Sequence, residues 1–245
     1  MSRVSNPWDT YADEYARELQ RRGPLRSDTN VMAGRLLSLL GDIKGKAVLD
    51  AACGNGALAR LLHDHGATVT GLDLSSRLIT QAKAMDPARA ISYGVADLTQ
   101  PQPDYANCFD AIGSYLALND IEDLHAFART LEQMAKPGAS IVLGFNNPYS
   151  AVIREHVTDY SASGTVARYG GLWQRGIKAF YVHRTLEDIL DAFLAAGLVL
   201  VKLVDIPDTQ DRDWLLPVGT RFPMFMVLAF RKPENLNARS DEQER

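Results

Sequence analysis

An open, doubly wound α/β sheet is the fold class predicted for this chain of 245 residues, and three observations point there. From Lys46 to Asn146 short apolar runs alternate with amphipathic stretches, the pattern of parallel strands joined by crossover helices. The run Ala47-Val48-Leu49-Asp50-Ala51-Ala52-Cys53-Gly54-Asn55-Gly56 reads as a buried strand ending in an acid, then a glycine turn opening a helix. A second strand, Val69-Thr70-Gly71-Leu72-Asp73, ends in another acid. Gly54 and Gly56 let the backbone come close to a ligand, and the helix start presents unpaired N–H groups and the positive end of its dipole. Asp73 stands where a strand-terminal carboxylate accepts hydrogen bonds from the two hydroxyls of a ribose. The pair describes a nucleoside site.

The elements follow in order. Residues 7–21 read as a helix because Trp8, Tyr11, Tyr15 and Leu19 recur at intervals of three and four, and Gly23-Pro24 breaks it. A second helix is expected from about Asp28 to Leu40, ending at Gly41. Strands are expected near 46–51, 68–73, 91–95, 109–114 and 140–146, with helices near 55–65, 76–84 and 121–135. Ser75 and Asp120 are the expected N-caps of the last two helices. After Pro148 the pattern changes: a short helix at 149–158, then an irregular stretch to about 176 that reads as a cover over the site. A helix from Thr185 to Ala196 ends at Gly197, and strands near 198–205 and 223–231 form a hairpin joined by a long linker that would also touch substrate. The charged residues 232–245 read as a frayed tail. The chain is thus one domain: a helical lid (1–41), a cofactor-binding core (46–146), a cap (149–183), a C-terminal helix and hairpin (184–231) and the tail.

Two readings of the nucleoside compete. Gly54-Asn55-Gly56-Ala57-Leu58-Ala59 formally satisfies the dinucleotide fingerprint, with Asp73 following at about the expected twenty residues. Against it stands Asp50, whose carboxylate would repel a pyrophosphate at close range and suits a ligand with a cationic portion. Here the chain resembles the class I S-adenosylmethionine-dependent methyltransferases, whose first motif has the form D-x-G-C-G-x-G; Ala52 occupies the first glycine position, where a slightly tighter turn is expected. The resemblance continues through Tyr93-Gly94-Val95-Ala96-Asp97-Leu98, where the family's acid meets the adenine amino group. Phe109-Asp110-Ala111-Ile112-Gly113-Ser114 resembles its fourth strand, whose end lies beside the transferred methyl, and Lys136-Pro137-Gly138-Ala139-Ser140 its turn into the fifth. The ordered matches span roughly residues 8–231. They imply a seven-stranded Rossmann-like sheet with an antiparallel last strand, and a methyltransferase acting on a small molecule of the quinone-pathway or natural-product tailoring kind.

The resemblance places donor binding on Tyr11, Asp50, Ala52, Gly54, Asn55, Gly56, Asp73, Leu74, Asp97, Leu98 and Ser114. Trp8-Asp9-Thr10-Tyr11-Ala12-Asp13-Glu14-Tyr15 is similar to a lid segment of small-molecule relatives, and makes Tyr15 a candidate catalytic residue beside His183. An aromatic face near a sulfonium gains about 0.5–2 kcal/mol of cation–π attraction; the alternative is an amphipathic helix whose aromatics simply pack on the sheet. His183, in Phe180-Tyr181-Val182-His183-Arg184-Thr185-Leu186, is the best candidate base of five histidines, or else caps the following helix or bonds a backbone carbonyl. His63 and His65, two apart on a helix, make a poor metal pair, and no metal site is expected. Tyr115, Asn119, Asn146, Tyr169, Trp173 and Tyr181 are the candidate substrate-binding residues. Where relatives carry a histidine after the fourth strand this chain has Asn119-Asp120. Asn119 orients but cannot take a proton; Asp120 could, if burial raised its pKa, although capping is the simpler role.

Composition excludes several classes. No apolar run approaches the roughly twenty residues of a membrane helix, and no secretory leader is expected. Cys53 and Cys108 offer neither a disulfide framework nor zinc spacing. A net charge of −4 argues against a broad nucleic-acid surface. The expectation is a soluble cytoplasmic enzyme whose partner is a small-molecule acceptor, with homodimer formation left open. Two rivals stay in view: a protein of this fold that binds the donor without methylating, serving as a cyclase or binding partner, and a nicotinamide-dependent oxidoreductase.

Overall fold

The computed structural model describes residues 7–150, 157, 159–164, 166–169, 179–207 and 223–234. Two helices, α1 (Pro7–Arg22) and α2 (Val31–Leu40), precede the alternating core of β1 (Ala47–Ala51), α3 (Ala57–Asp64), β2 (Thr68–Asp73), α4 (Ser76–Ala84), β3 (Ser92–Val95), β4 (Phe109–Tyr115), α5 (Leu124–Met134) and β5 (Ala135–Asn146). A small hairpin, β6 (Val166–Tyr169) with β7 (Ala179–Val182), comes next. It is followed by α6 (Leu186–Ala195), β8 (Val199–Pro207) and β9 (Pro223–Arg231).

The main sheet has seven strands in the order β3-β2-β1-β4-β5-β9-β8. β3, β2, β1, β4 and β5 are mutually parallel, and β9 runs antiparallel to both of its neighbours. Alternation along each strand divides the core. Val48, Ala111, Val142 and Val227 face α2, α3 and α4, while Leu49, Ile112, Ile141, Leu143 and Leu228 face α5 and α6. On the second face Phe127, Leu131 and Phe193 are fully buried, and Phe193 stacks on Phe230 at 5.0 Å. Each such side chain contributes about 1.5–3 kcal/mol of burial.

Caps fix the helix starts. Asn30 accepts from Ala33 N–H, Ser75 from Leu78 N–H, and Thr185 with Asp188 forms a reciprocal capping box. One expectation needs correction here: Asp123, not Asp120, caps α5, accepting from Ala126 N–H at 2.8 Å. The helix begins three residues later than its sequence pattern indicates, because Leu118–Asp120 closes a separate 3-10 turn. A second correction concerns the stretch read as irregular to about 176: it contains β6, which pairs with β7 just beyond it. β5 also starts five residues early, running through Pro137 with a register shift opposite Phe109 and Ala111. The helix expected at 149–158 and the linker before β9 fall largely outside the described residues. Among the described residues no helix is long and apolar enough to cross a membrane.

Candidate functional site

The chain winds outward in both directions from β1 and β4, so the order reverses between them. A crevice opens at such a reversal, beyond the carboxyl ends of the strands. The loop from β1 into α3 lies there. It is held by Cys53 N–H on Leu72 O at 3.0 Å and by Gly56 N–H on Cys53 O at 2.9 Å. Three of its residues take left-handed backbone: Ala52 at φ +56°, Gly54 at +54° and Gly56 at +79°. Ala52 therefore adopts the conformation its glycine counterpart would, so the turn is kept at a local cost rather than tightened. At Gly56 a Cβ would stand 2.4 Å from the Tyr93 hydroxyl, so the loop seats directly on that ring.

Asp73 joins the two strand ends. Its Oδ2 accepts from Gly54 N–H and its Oδ1 from Ser75 N–H, each at 2.8 Å. One carboxylate thus fixes both the glycine loop and the start of α4, with lone pairs remaining for a ribose. Burial pushes its pKa up against these two bonds, and Asp9 adds to the rise. Asp50 is enclosed beneath the loop, only 1% exposed, with Oδ2 lacking any partner. Burial raises its pKa to about 8, offset in part by a bond from Ala59 N–H and by Arg60. A carboxyl so placed acts through the loop rather than by open contact.

The remaining donor candidates divide. Leu74 is 53% and Val95 57% exposed, apolar side chains left open beside the ends of β2 and β3. Asp97 Oδ1 accepts from Thr99 N–H and Oγ1, at 2.9 and 2.6 Å. Leu98 is buried in the core. Asn55 is also buried, its amide turned onto Met85 Sδ. Ser114 is fully buried and its hydroxyl has no partner.

Helix α1 packs on α4. Asp9 Oδ1 accepts from Ser75 Oγ at 2.6 Å and Arg77 N–H at 3.3 Å, and Asp13 pairs with Arg77 at 2.6 Å. Tyr11 and Tyr15 lie on this helix; their side chains are outside the description. Tyr115 accepts from Asn30 Nδ2 at 3.0 Å, tying the end of β4 to the cap of α2. Asn119 and Asn146 meet at 3.4 Å. Tyr169 and Tyr181 lie on the paired strands β6 and β7, and Trp173 falls outside the described residues.

His183 is enclosed, at 0% exposure. Its Nε2 lies 2.8 Å from Tyr160 O, and since a carbonyl only accepts, Nε2 carries the proton. Of the roles open to it, bonding a backbone carbonyl is the one the geometry displays. Two residues escaped notice as site-builders. Arg184 donates to Leu118 O, Ile121 O and Glu122 O, which fixes the turn after β4. Asp9 anchors α1 to α4. Neither had a local signal, since each works across more than sixty residues. A cavity of about 490 Å³ beside α5, lined by Glu122, His125, Arg184 and Asp188 among others, shares none of the donor residues.

The donor set fits S-adenosylmethionine: a glycine loop a Cβ would fill, a ribose-ready carboxylate, and a buried carboxyl beneath the loop with one oxygen left without a partner among the described residues. A methyltransferase domain family matches residues 49–143. The chain is 30% identical over 140 residues to a ubiquinone biosynthesis O-methyltransferase of Escherichia coli O127:H6, covering 56% of this chain and 55% of that one. It is 29% identical over 215 residues to a malonyl-[acyl-carrier protein] O-methyltransferase of Pseudescherichia vulneris, covering 80% and 79%. The chain thus spans about half the length of the ubiquinone relative it matches. Among solved structures, an S-adenosylmethionine-dependent methyltransferase from Mesorhizobium loti superposes with TM-score 0.63 at 26% identity, covering 84% of this chain and all of that one. The [4+2]-cyclase SpnF shares the fold alone, with TM-score 0.68 at 15% identity over 95% and 96% of the chains. The domain match falls on the donor loop and the strands that carry it, and over that region the chain is similar to S-adenosylmethionine-dependent methyltransferases.

Proposed function

We propose that the protein methylates a hydroxyl or amine of a small metabolite. The observation that carries this is the Asp73 carboxylate, bonded at once to Gly54 N–H and Ser75 N–H, which sets a nucleoside-binding loop at the reversal point of the sheet. When bound, the donor supplies a methyl made electrophilic by its sulfonium. The chain's own residues then have three tasks. Gly54, Gly56 and Asp73 hold the nucleoside, with Leu74 and Val95 offering apolar surface to a base and Asp97 a carboxylate to its amino group. The α1 lid, anchored by Asp9, excludes water. Asn119 and Asn146 orient the acceptor. Alignment of the two reactants contributes about 7–11 kcal/mol of barrier reduction when the geometry is right. The O-methyltransferase names of the two relatives favour an oxygen acceptor.

The enclosed His183 does not favour base catalysis by that residue, and Tyr15 stays a candidate through its place on the lid. A second reading, donor binding without methyl transfer, is favoured by the two neutral amides at the acceptor end and by the shared fold of the cyclase. A nicotinamide enzyme is disfavoured by the methyltransferase domain match over residues 49–143, which takes in the glycine loop. Titration calorimetry with S-adenosylmethionine, NAD and NADP separates these. Binding of the sulfonium donor that disappears in Asp73→Ala supports the proposal, and binding of NAD instead sinks it. Formation of S-adenosylhomocysteine with hydroxyl and amine acceptors then distinguishes the enzyme from the non-methylating protein.

A further inference from the structure

β3 lies at the edge of the main sheet, and Tyr93 is the one buried residue of its four. Tyr93 pairs across the sheet with Gly71 of β2, which pairs in turn with Asp50 of β1. The three stand in one row on one face of the sheet. Gly71 leaves the middle of that row bare, and its backbone is not left-handed, so conformation does not call for glycine there. A Cβ on Gly71 would stand 2.8 Å from Tyr93 Cδ1, 2.9 Å from its Cε1 and 3.1 Å from Cys53 Sγ. The ring therefore lies across Gly71, a close approach of the kind that mid-strand glycine permits. Its far end lies beneath the glycine loop. There a Cβ on Gly56 would meet the same Cε1 at 2.9 Å, Cζ at 2.8 Å and the hydroxyl at 2.4 Å. Two glycines, one in a strand and one in the loop, make room for one side chain.

Filling the core does not account for this arrangement. Tyr93 belongs to an apolar cluster with Ile79, Ala82 and Ile91, where leucine or phenylalanine would pack without a hydroxyl. The Tyr93 hydroxyl is buried with no hydrogen-bond partner among the described residues, which costs the fold more than an apolar group of the same shape. The loop above it is pinned elsewhere by Cys53 N–H on Leu72 O, by Gly54 N–H on Asp73 Oδ2, and by Arg60 on Asn55 O at 2.8 Å. The hydroxyl meets the loop at Gly56, two residues after the amide that bonds Asp73. We propose that Tyr93 is a positioning residue for donor binding: it is the stop that sets how deep the glycine loop sits, and with it the Gly54–Asp73 geometry that a nucleoside meets. The assignment rests on the donor-site reading above. It requires no contact between Tyr93 and the donor, since the ring acts through Gly56 and Gly54.

Calorimetric titration with S-adenosylmethionine and S-adenosylhomocysteine, run beside thermal melts, tests this on four proteins. They are wild type, Tyr93→Phe, Gly56→Ala, and Gly56→Ala combined with Tyr93→Leu, with Tyr93→Phe as the second change in reserve should the leucine variant not fold. Tyr93→Phe removes an unpartnered hydroxyl, so the free variant should melt no earlier than wild type. It should nevertheless bind both compounds roughly tenfold more weakly, the equivalent of one hydrogen bond loosened. Leucine lacks the Cε1, Cζ and hydroxyl that crowd Gly56. Tyr93→Leu should therefore restore to Gly56→Ala roughly tenfold or more of the affinity it has lost. Wild-type affinity in Tyr93→Phe overturns the proposal. So does a second change that lowers binding in Gly56→Ala further, the result expected of a residue that only fills the core. Failure of folded wild type to bind either compound removes the donor-site reading itself, and this assignment with it.

Discussion

Two residues, one in the glycine loop and one beneath it, work against local preference, and each gives a test. Ala52 holds φ +56° at the position where the family motif has glycine. Left-handed backbone costs a residue with a Cβ about 1–2 kcal/mol, and the extra freedom of glycine in the unfolded chain returns about 0.4–1 kcal/mol of that. Ala52→Gly should therefore raise thermal stability slightly, by up to about 1 kcal/mol or 2–4 °C in a chain of this size, without loss of donor binding. A fall in melting temperature would show that the alanine methyl makes packing contacts worth more than the strain. Asp50 tests the same region through pH. Its folded pKa of about 8 lies above the roughly 3.9 of an unfolded aspartate. The folded state then binds the extra proton between those values. The stabilisation this brings is whole below about pH 4 and is lost as pH rises through about 8. Melting temperature of the free protein should fall from pH 5 to pH 8 more steeply in wild type than in Asp50→Asn. Parallel curves would show that Asp50 is already ionised in the fold.

Helix α1 shows what an element needs beyond its own sequence. Its aromatic spacing makes it legible as a helix, but its docking depends on Asp9 meeting Ser75 and Arg77, more than sixty residues away. The Asp13–Arg77 pair is largely exposed and contributes about 0–1 kcal/mol. The weight of the docking falls on Asp9, which reinforces the cap that Ser75 already gives α4. Asp9→Ala should loosen α1, seen as faster amide exchange confined to residues 7–22, while Arg77→Ala leaves exchange there nearly unchanged. Equal effects from both would place the anchor in the exposed ion pair instead. The core elements were legible for a different reason. Ser76–Ala84 and Thr68–Asp73 follow from patterns within their own bounds, a serine cap in one and an acid after an apolar run in the other. The start of α5 was misplaced because Asp120 and Asp123 are both competent caps, and only the preceding 3-10 turn decides between them. The hairpin β6–β7 was missed because its strands are four residues each and lie in a glycine-rich stretch.

At the scale of the whole molecule the places of the candidate donor residues could be read, and the contacts around the candidate acceptor residues could not. Asp50, Gly54, Gly56 and Asp73 sit at strand ends whose order follows from alternation, so spacing along the chain translates directly into position. The contacts that shape the other half cross the molecule: Asn30 to Tyr115, Asn119 to Asn146, and Arg184 to Leu118. No local pattern encodes these, and so His183 stood out as a histidine before an enclosing fold showed its ring bonded to Tyr160 O. The donor half also links site to stability. A ligand that binds only the folded chain stabilises it by about 2.7 kcal/mol at a hundred times its dissociation constant, which in a chain of this length is about 5–10 °C. S-adenosylmethionine should give such a shift, and NAD none. Gly56→Ala should abolish it, because the new Cβ would stand 2.4 Å from the Tyr93 hydroxyl and force the loop off its seat. The free variant should also melt earlier, since the alanine must hold φ +79°. A Gly56→Ala protein that melted early yet kept the full ligand shift would mean that the loop yields without the donor noticing. The donor would then rest chiefly on Asp73, and the combined variant Gly56→Ala with Asp73→Ala should lose the shift where Gly56→Ala alone did not.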